Sequence, residues 1–143
     1  MPARDTRTGT VLENMVQHAL KLGGYNHTSQ QVIGQRPGGR KHKVDVVAHK
    51  ADKTILISLK WQQVSGTAEQ KVPFEVICLA EAVRNSQGKF SKAYLVLGGE
   101  GWSLREFYVG GGLKEHLRYQ DLVEIMTLDP SSTLCCRNLW CFS

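Results

Sequence analysis

No run of apolar residues in this chain approaches the roughly 18 to 20 that cross a bilayer, and Met1 to Arg7 is polar and charged, without the apolar segment of a secretory signal. The expectation is a soluble protein that stays in the cytoplasm, away from membranes. Cysteine is scarce: Cys78 falls in an apolar helical pattern, and Cys135, Cys136 and Cys141 lie near the C-terminus. No CxxC spacing or following histidine pair accompanies them, which argues against a zinc site and leaves reduced thiols. Neither H-x-H nor HExxH spacing links His18, expected mid-helix, His42, expected in a basic loop, and His49, so a histidine nuclease or zinc hydrolase is disfavoured. Internal repeats and an obvious recognition domain are also missing.

What remains is an ordinary globular composition. With 143 residues, 41% of them hydrophobic, the chain is long enough for one core. We read residues 1–129 as a single domain and 130–143 as a C-terminal tail whose Leu134, Leu139, Trp140 and Phe142 pack back or meet a partner. Eighteen Lys and Arg against 13 Asp and Glu give a formal charge of +5, and Arg36, Arg40, Lys41 and Lys43 crowd one stretch around Pro37-Gly38-Gly39. Such a loop attracts a polyanion such as DNA through counterion release, although a basic turn is commonly no more than a solvated loop.

Thr10 and Glu13 have capping-box spacing, and Val11, Leu12, Met15, Val16, Ala19, Leu20 and Leu22 follow at helical intervals until Gly23-Gly24. A candidate strand from His27 to Ile33 leads into the basic loop. Two apolar strands follow, Val44 to Ala48 and Ile55 to Gln62, separated by the polar turn Lys50 to Lys53 and read as a hairpin or meander. A helix from Thr67 to Arg84 contains Pro73, which either sits in the first turn of the main helix or kinks a longer one. Lys92 to Leu97 reads as a buried strand, Leu104 to Val109 and Leu113 to Tyr119 as short helical pieces, and Val123 to Leu128 as a last strand. The order is that of an α/β fold with a mixed sheet flanked by helices.

Two charges interrupt the apolar strands. Asp45 stands among Val44, Val46, Val47 and Ala48, and Lys60 follows Ile55 to Leu59; an isolated buried charge is costly, so Asp45 needs a partner. Strand alternation puts Ser58, Lys60 and Gln62 on one face and Ile57, Leu59 and Trp61 on the other. The plain alternative is a salt bridge between Asp45 and Lys60 in a purely structural domain.

These residues resemble, in order and spacing, the PD-(D/E)XK nuclease superfamily, which includes restriction endonucleases and Holliday-junction resolvases. The resemblance covers roughly the first 85 residues: the Glu13 helix, the Asp45 strand, the Ser58-Leu59-Lys60 strand and the helix after it. It implies a restriction endonuclease-like core and a Mg²⁺- or Mn²⁺-dependent endonuclease acting on DNA, in which Glu13, Asp45 and Lys60 take the roles of first-helix acid, strand aspartate and lysine. Glu13 would otherwise serve as the capping-box acid of Thr10. The resemblance further implies a metal held by Asp45, the Leu59 carbonyl and a second carboxylate, a homodimer, and restriction-like or structure-selective cleavage. Gln62 would hold the attacking water or a phosphate oxygen, Ser58 would lie in the outer shell, and Arg36, Arg40, Lys41 and Lys43 would bind the nucleic-acid backbone.

The chain departs from the family pattern at Ser58, where the second metal-binding carboxylate belongs. A serine does not replace that charge. Some members of the superfamily take the carboxylate from the following helix, and here the candidates are Glu69 and Glu75. On one continuous helix Glu69 projects with Val72, Val76, Ala80 and Val83, whereas Glu75 lies a quarter turn away, so Glu69 is the expected ligand and Glu75 the alternative. The rival to an active nuclease is a catalytically inactive nuclease fold serving as a DNA-binding or assembly module.

Overall fold

The computed structural model describes residues 6–64 and 66–127. The expected tail, with Cys135, Cys136 and Cys141, lies outside the described residues, as does Met1 to Asp5. Helix α1 (Thr6–Leu22) is followed by three strands, β1 (Asn26–Gln35), β2 (Lys41–Lys50) and β3 (Lys53–Trp61). Helix α2 (Ala68–Asn85), strand β4 (Lys92–Gly98), the short helix α3 (Arg105–Val109), two 3-10 turns and strand β5 (Val123–Thr127) complete the order. The sheet order is β1-β2-β3-β4-β5, with β1, β2 and β3 an antiparallel meander and β3, β4 and β5 parallel. This is the mixed α/β sheet that the sequence implies.

Alternation sorts the strand residues into two apolar layers. Ile55, Ile57, Tyr94, Val96, Val46 and Ala48 pack with Leu12, Val16, Ala19 and Leu20 of α1. Leu56, Leu95, Leu97, Val44 and Val47 pack with Val72, Val76, Leu79 and Val83 of α2. Helix α1 starts at Thr6, so Thr10 lies inside it and not at the expected N-cap position. The apolar periodicity begins only at Val11, and the polar first turn carries no such signal. Its C-terminus closes as a Schellman motif: Gly24 adopts φ 83°, its N–H donates to the Lys21 carbonyl, and Tyr25 N–H donates to the Leu20 carbonyl at 2.9 Å.

Helix α2 runs unbroken through Pro73. Proline has no N–H to donate to the carbonyl four residues back, which is that of Glu69. The buried Tyr108 hydroxyl of α3 donates to that carbonyl at 2.6 Å and replaces the lost bond. A tertiary contact therefore keeps the first turn helical, and Glu69 and Glu75 stand on one continuous helix. Among the described residues no helix is long and apolar enough to cross a membrane.

Candidate active site

Asp45 and Lys60 sit where β2 and β3 part. The backbone pairing of the two strands ends at Val46 and Ile57, one residue short of Asp45 and Ser58. Beyond that point the Asp45 carboxylate enters the gap: its Oδ2 accepts the Leu59 N–H at 2.7 Å, in place of a strand carbonyl. Its Oδ1 has only a long contact of 3.5 Å from the Gln30 amide. On the other side, Gln30 of β1 adopts φ 56°, a left-handed conformation that a non-glycine residue rarely takes within a strand. Val44 and Val47 both pack towards α2 while Val46 packs towards α1, so the alternation of β2 also slips here. Backbone distortion concentrated around one half-buried carboxylate is characteristic of functional sites.

Ser58, Lys60 and Gln62 share the face that the sequence assigns to them, with Ile57, Leu59 and Trp61 packed on the α1 side. Their surroundings differ sharply. Ser58, 4% exposed, donates its hydroxyl to Glu75 Oε1 at 3.0 Å. Glu75 Oε2 lies 3.5 Å from the Arg36 guanidinium. Half-buried Lys60 makes no ion pair or hydrogen bond with any described residue, so the simple Asp45–Lys60 salt bridge is not formed.

Glu69 is occupied elsewhere. Its carboxylate accepts the Ser103 hydroxyl at 2.7 Å, the Ser103 backbone N–H, and the Gln62 amide at 3.1 Å. These bonds, that of the Ser103 hydroxyl foremost, hold the carboxyl below the usual glutamate range against the opposing effect of burial. Gln62 is equally committed: its amide nitrogen also donates to the Gly101 carbonyl at 2.7 Å, and its oxygen accepts Ala68 N–H at 3.1 Å, capping the start of α2. Together Gln62 and Glu69 bind the end of β3, the start of α2 and the loop after β4 into one clamp. The loop lies so close that a Cβ at Gly99, itself at φ 90°, would collide with the Gln62 carbonyl.

Serine at position 58 has the carboxylate of Glu75 beside it, Asp45 stands at the opened strand end, and Lys60 has no hydrogen-bond or ion-pair partner among the described residues. A family description, the PD-(D/E)XK nuclease superfamily domain, matches residues 4–129. The chain belongs to the PD-(D/E)XK nuclease superfamily. A solved structure described as a protein of unknown function, AF1548, superposes with a TM-score of 0.52 at 10% identity, covering 85% of this chain and 59% of that one. The likeness is one of fold, and the chain spans less than two thirds of that protein. No curated protein matches the chain.

The remaining expected residues of this PD-(D/E)XK domain are dispersed. Glu13 of α1 accepts a hydrogen bond at 3.3 Å from Gln17, whose amide also donates to Ser29 at 3.1 Å, and among the described residues no hydrogen bond or ion pair joins it to Asp45, Lys60 or Glu75. Arg40, Lys41 and Lys43 are exposed, whereas Arg36 turns inward to Glu75. The turn that carries them is closed by Arg36 N–H on the Arg40 carbonyl at 2.7 Å.

His42, expected in the loop, is a residue of β2 and 1% exposed. Burial holds its imidazole below the ordinary histidine value, so the ring is neutral near pH 7. Its spacing of two from Val44 was the available signal, since residues i and i+2 of a strand share a face. The pairing of Arg36 with Glu75 left no mark in the sequence.

Among the described residues no three His, Cys, Asp or Glu side chains cluster to hold a metal. The oxygens of the Asp45 carboxylate, whose Oδ1 has only the long Gln30 contact, of the Glu75 carboxylate, shared with Ser58 and Arg36, and of a strand carbonyl are hard donors. Such a set fits Mg²⁺, which commonly takes one or two protein carboxylates and fills its octahedron with water and phosphate.

Proposed function

We propose that the chain is a divalent-metal-dependent endonuclease that hydrolyses DNA phosphodiester bonds, with Asp45, Glu75, the Leu59 carbonyl and Lys60 at its centre. The observation that carries the proposal is the 3.0 Å hydrogen bond from Ser58 to Glu75, because it sets a carboxylate beside the position where the family acid is missing. Asp45 and Glu75, with the Leu59 carbonyl, would hold Mg²⁺ or Mn²⁺. The cation would supply charge neutralisation at the phosphate and a water of lowered pKa.

Asp45 is already fixed by Leu59 N–H through one oxygen, and the other has only a long contact from Gln30. Ser58 holds one oxygen of Glu75 and Arg36 lies beside the other. Lys60, free of a carboxylate partner among the described residues, is available to orient the attacking water and to balance the developing charge. Arg40, Lys41 and Lys43 would meet the DNA backbone without reading bases. In this proposal Glu69 and Gln62 build the support and touch neither metal nor phosphate. A domain of this size suits structure-selective cleavage, and a homodimer acting in the cytoplasm would present two sites to two strands.

One observation favours the inactive module instead. Arg36 lies 3.5 Å from Glu75, a fixed cation at the carboxylate that the metal needs. Cleavage of duplex, single-stranded, flap and four-way-junction DNA with Mg²⁺ or Mn²⁺ separates the two readings. Wild type is expected to cut at least one substrate, and Asp45→Asn and Glu75→Gln are expected to lose roughly 10²-fold or more of that rate. Glu69→Gln, assayed well below its unfolding temperature, retains cleavage within a few-fold. Loss in the Glu69 variant with retention in the Glu75 variant would return the carboxylate to Glu69. Calorimetry with no Asp45-dependent Mg²⁺ or Mn²⁺ binding would favour the module.

A further inference from the structure

A cation held permanently against Glu75 would oppose a metal there, so the way Arg36 is held matters to the chemistry. The contact is a poor one. Arg36 Nη1 lies 3.5 Å from Glu75 Oε2, beyond the roughly 2.7 to 2.9 Å of a charge-assisted hydrogen bond. Because Glu75 Oε1 takes the Ser58 hydroxyl, the carboxylate does not offer both oxygens to the guanidinium. The guanidinium also meets the thiol of Cys78, a weak acceptor. The Arg36 side chain keeps 30% exposure, against 5% for Glu75, and forms part of the wall of a cavity of about 470 Å³ beside the β1–β2 hairpin.

The backbone of Arg36, by contrast, is anchored. Its N–H donates to the Arg40 carbonyl at 2.7 Å and its carbonyl accepts the Gly39 N–H at 2.9 Å, in a turn where Gly38 and Gly39 adopt φ 97° and 92°. Any movement of this residue is therefore movement of the side chain. Arg40, Lys41 and Lys43, on the same hairpin end, are exposed and attract a polyanion. A DNA strand drawn to them brings phosphates to the turn that carries Arg36, and a phosphate accepts two parallel guanidinium bonds where Glu75 gives one long contact.

We propose that Arg36 is a substrate-released guard of the metal site. Without DNA it sits against Glu75 and lowers the affinity of that carboxylate for a divalent cation, since like charges a few ångströms apart repel. A phosphate of the bound strand draws the guanidinium away, so DNA and metal strengthen each other's binding, and by linkage each does so by the same factor. The proposal rests on the reading of Asp45 and Glu75 as a metal site and adds to it the residue that makes metal binding depend on substrate.

The test uses the full chain and two binding measurements, neither of which reads cleavage. Ca²⁺ is the probe, because it takes the same hard oxygens as Mg²⁺ at longer distances and polarises water less, which keeps the DNA whole. Calorimetry without DNA gives the Ca²⁺ affinity, and Mn²⁺ repeats that arm. Fluorescence anisotropy of a labelled duplex, in EDTA and in saturating Ca²⁺ at constant ionic strength, gives the factor by which the cation raises DNA affinity. Arg36→Ala is expected to bind Ca²⁺ about fivefold or more tighter than wild type without DNA, and its enhancement of DNA affinity by Ca²⁺ is smaller by a similar factor. Arg36→Gln, which keeps part of the stem and removes the charge, gives the same result and keeps the test intact if truncation disturbs the hairpin. Lys53→Ala removes an exposed charge at the opposite end of β3 from Lys60 and leaves the Ca²⁺ affinity within about twofold of wild type, which separates a local effect from one of net charge.

Equal Ca²⁺ affinity of wild type and both Arg36 variants, or an equal enhancement of DNA binding in all three, would overturn the proposal and leave Arg36 a structural partner of Glu75. Weaker Ca²⁺ binding in the Arg36 variants would overturn it too, because the guanidinium would then be orienting Glu75 for the metal. In both cases cation binding that is lost in Asp45→Asn would leave the metal-site reading standing. Cation binding that is absent from every protein, or unaffected by Asp45→Asn, would refute that reading and the guard with it.

Discussion

Replacing Tyr108 by phenylalanine removes one hydroxyl and isolates one carbonyl. That hydroxyl donates at 2.6 Å to the Glu69 carbonyl, which has no helical partner because residue 73 is proline. An ordinary intramolecular hydrogen bond contributes about 0.5 to 1.5 kcal/mol, but leaving a buried acceptor unsatisfied costs about 1 to 3 kcal/mol. Tyr108 is 4% exposed, so water does not readily take its place. Tyr108→Phe is therefore expected to cost about 2 kcal/mol in the wild-type background. In the Pro73→Ala background the backbone N–H of residue 73 reaches the same carbonyl, and the cost of losing the hydroxyl falls to about 1 kcal/mol or less.

Urea denaturation followed by circular dichroism, completed as a double-mutant cycle at constant m, reads the difference. A coupling energy of about 1 kcal/mol between positions 73 and 108 is the expected result. If the Tyr108 substitution costs the same in both backgrounds, within about 0.5 kcal/mol, the hydroxyl does not replace the missing helical bond. Tyr108 would then not be what keeps α2 continuous and carries Glu75 to Ser58.

Acid should weaken the fold through Glu69. Its carboxyl is held below the usual range in the folded state, so its contribution is fully present above the unfolded value of about 4.3 and is lost as pH falls through the lower folded value. Melting temperature measured from pH 6 to pH 3 should drop less steeply in Glu69→Gln than in wild type, and equal slopes would refute the assignment. Gly99→Ala should cost about 2 to 4 kcal/mol, because the added carbon meets the Gln62 carbonyl and φ 90° is unfavourable for alanine. Chemical denaturation measures it, and a change below 1 kcal/mol would show that the loop after β4 moves aside freely.

Residues close in the chain made the architecture legible. Periodicities of 3.6 and 2 mark α1, β2, β3, α2 and β4 without reference to anything distant, because each reflects one face turned to a core. The same alternation separated Ser58, Lys60 and Gln62 from Ile57, Leu59 and Trp61, and Asp45 stood out as a charge without turn-forming neighbours. By itself, then, the sequence determined the α/β order, the pair of strands bearing Asp45 and Lys60, and Glu69 and Glu75 as the two acids of the following helix that could stand beside Ser58.

It did not determine which carboxylate, since Glu69 and Glu75 both project from the buried side of one helix and helical phase alone favoured Glu69. The choice depended on partners far along the chain: Ser103 and Gln62 take up Glu69, while Ser58 and Arg36 meet Glu75. The continuity of α2 likewise came from Tyr108, thirty-nine positions beyond the carbonyl that it serves. Hydrogen bonds between such distant residues follow from how layers pack and loops return, and no local pattern of residues encodes them. Tertiary structure alone therefore decided which acid supports the fold and which one stands beside Ser58.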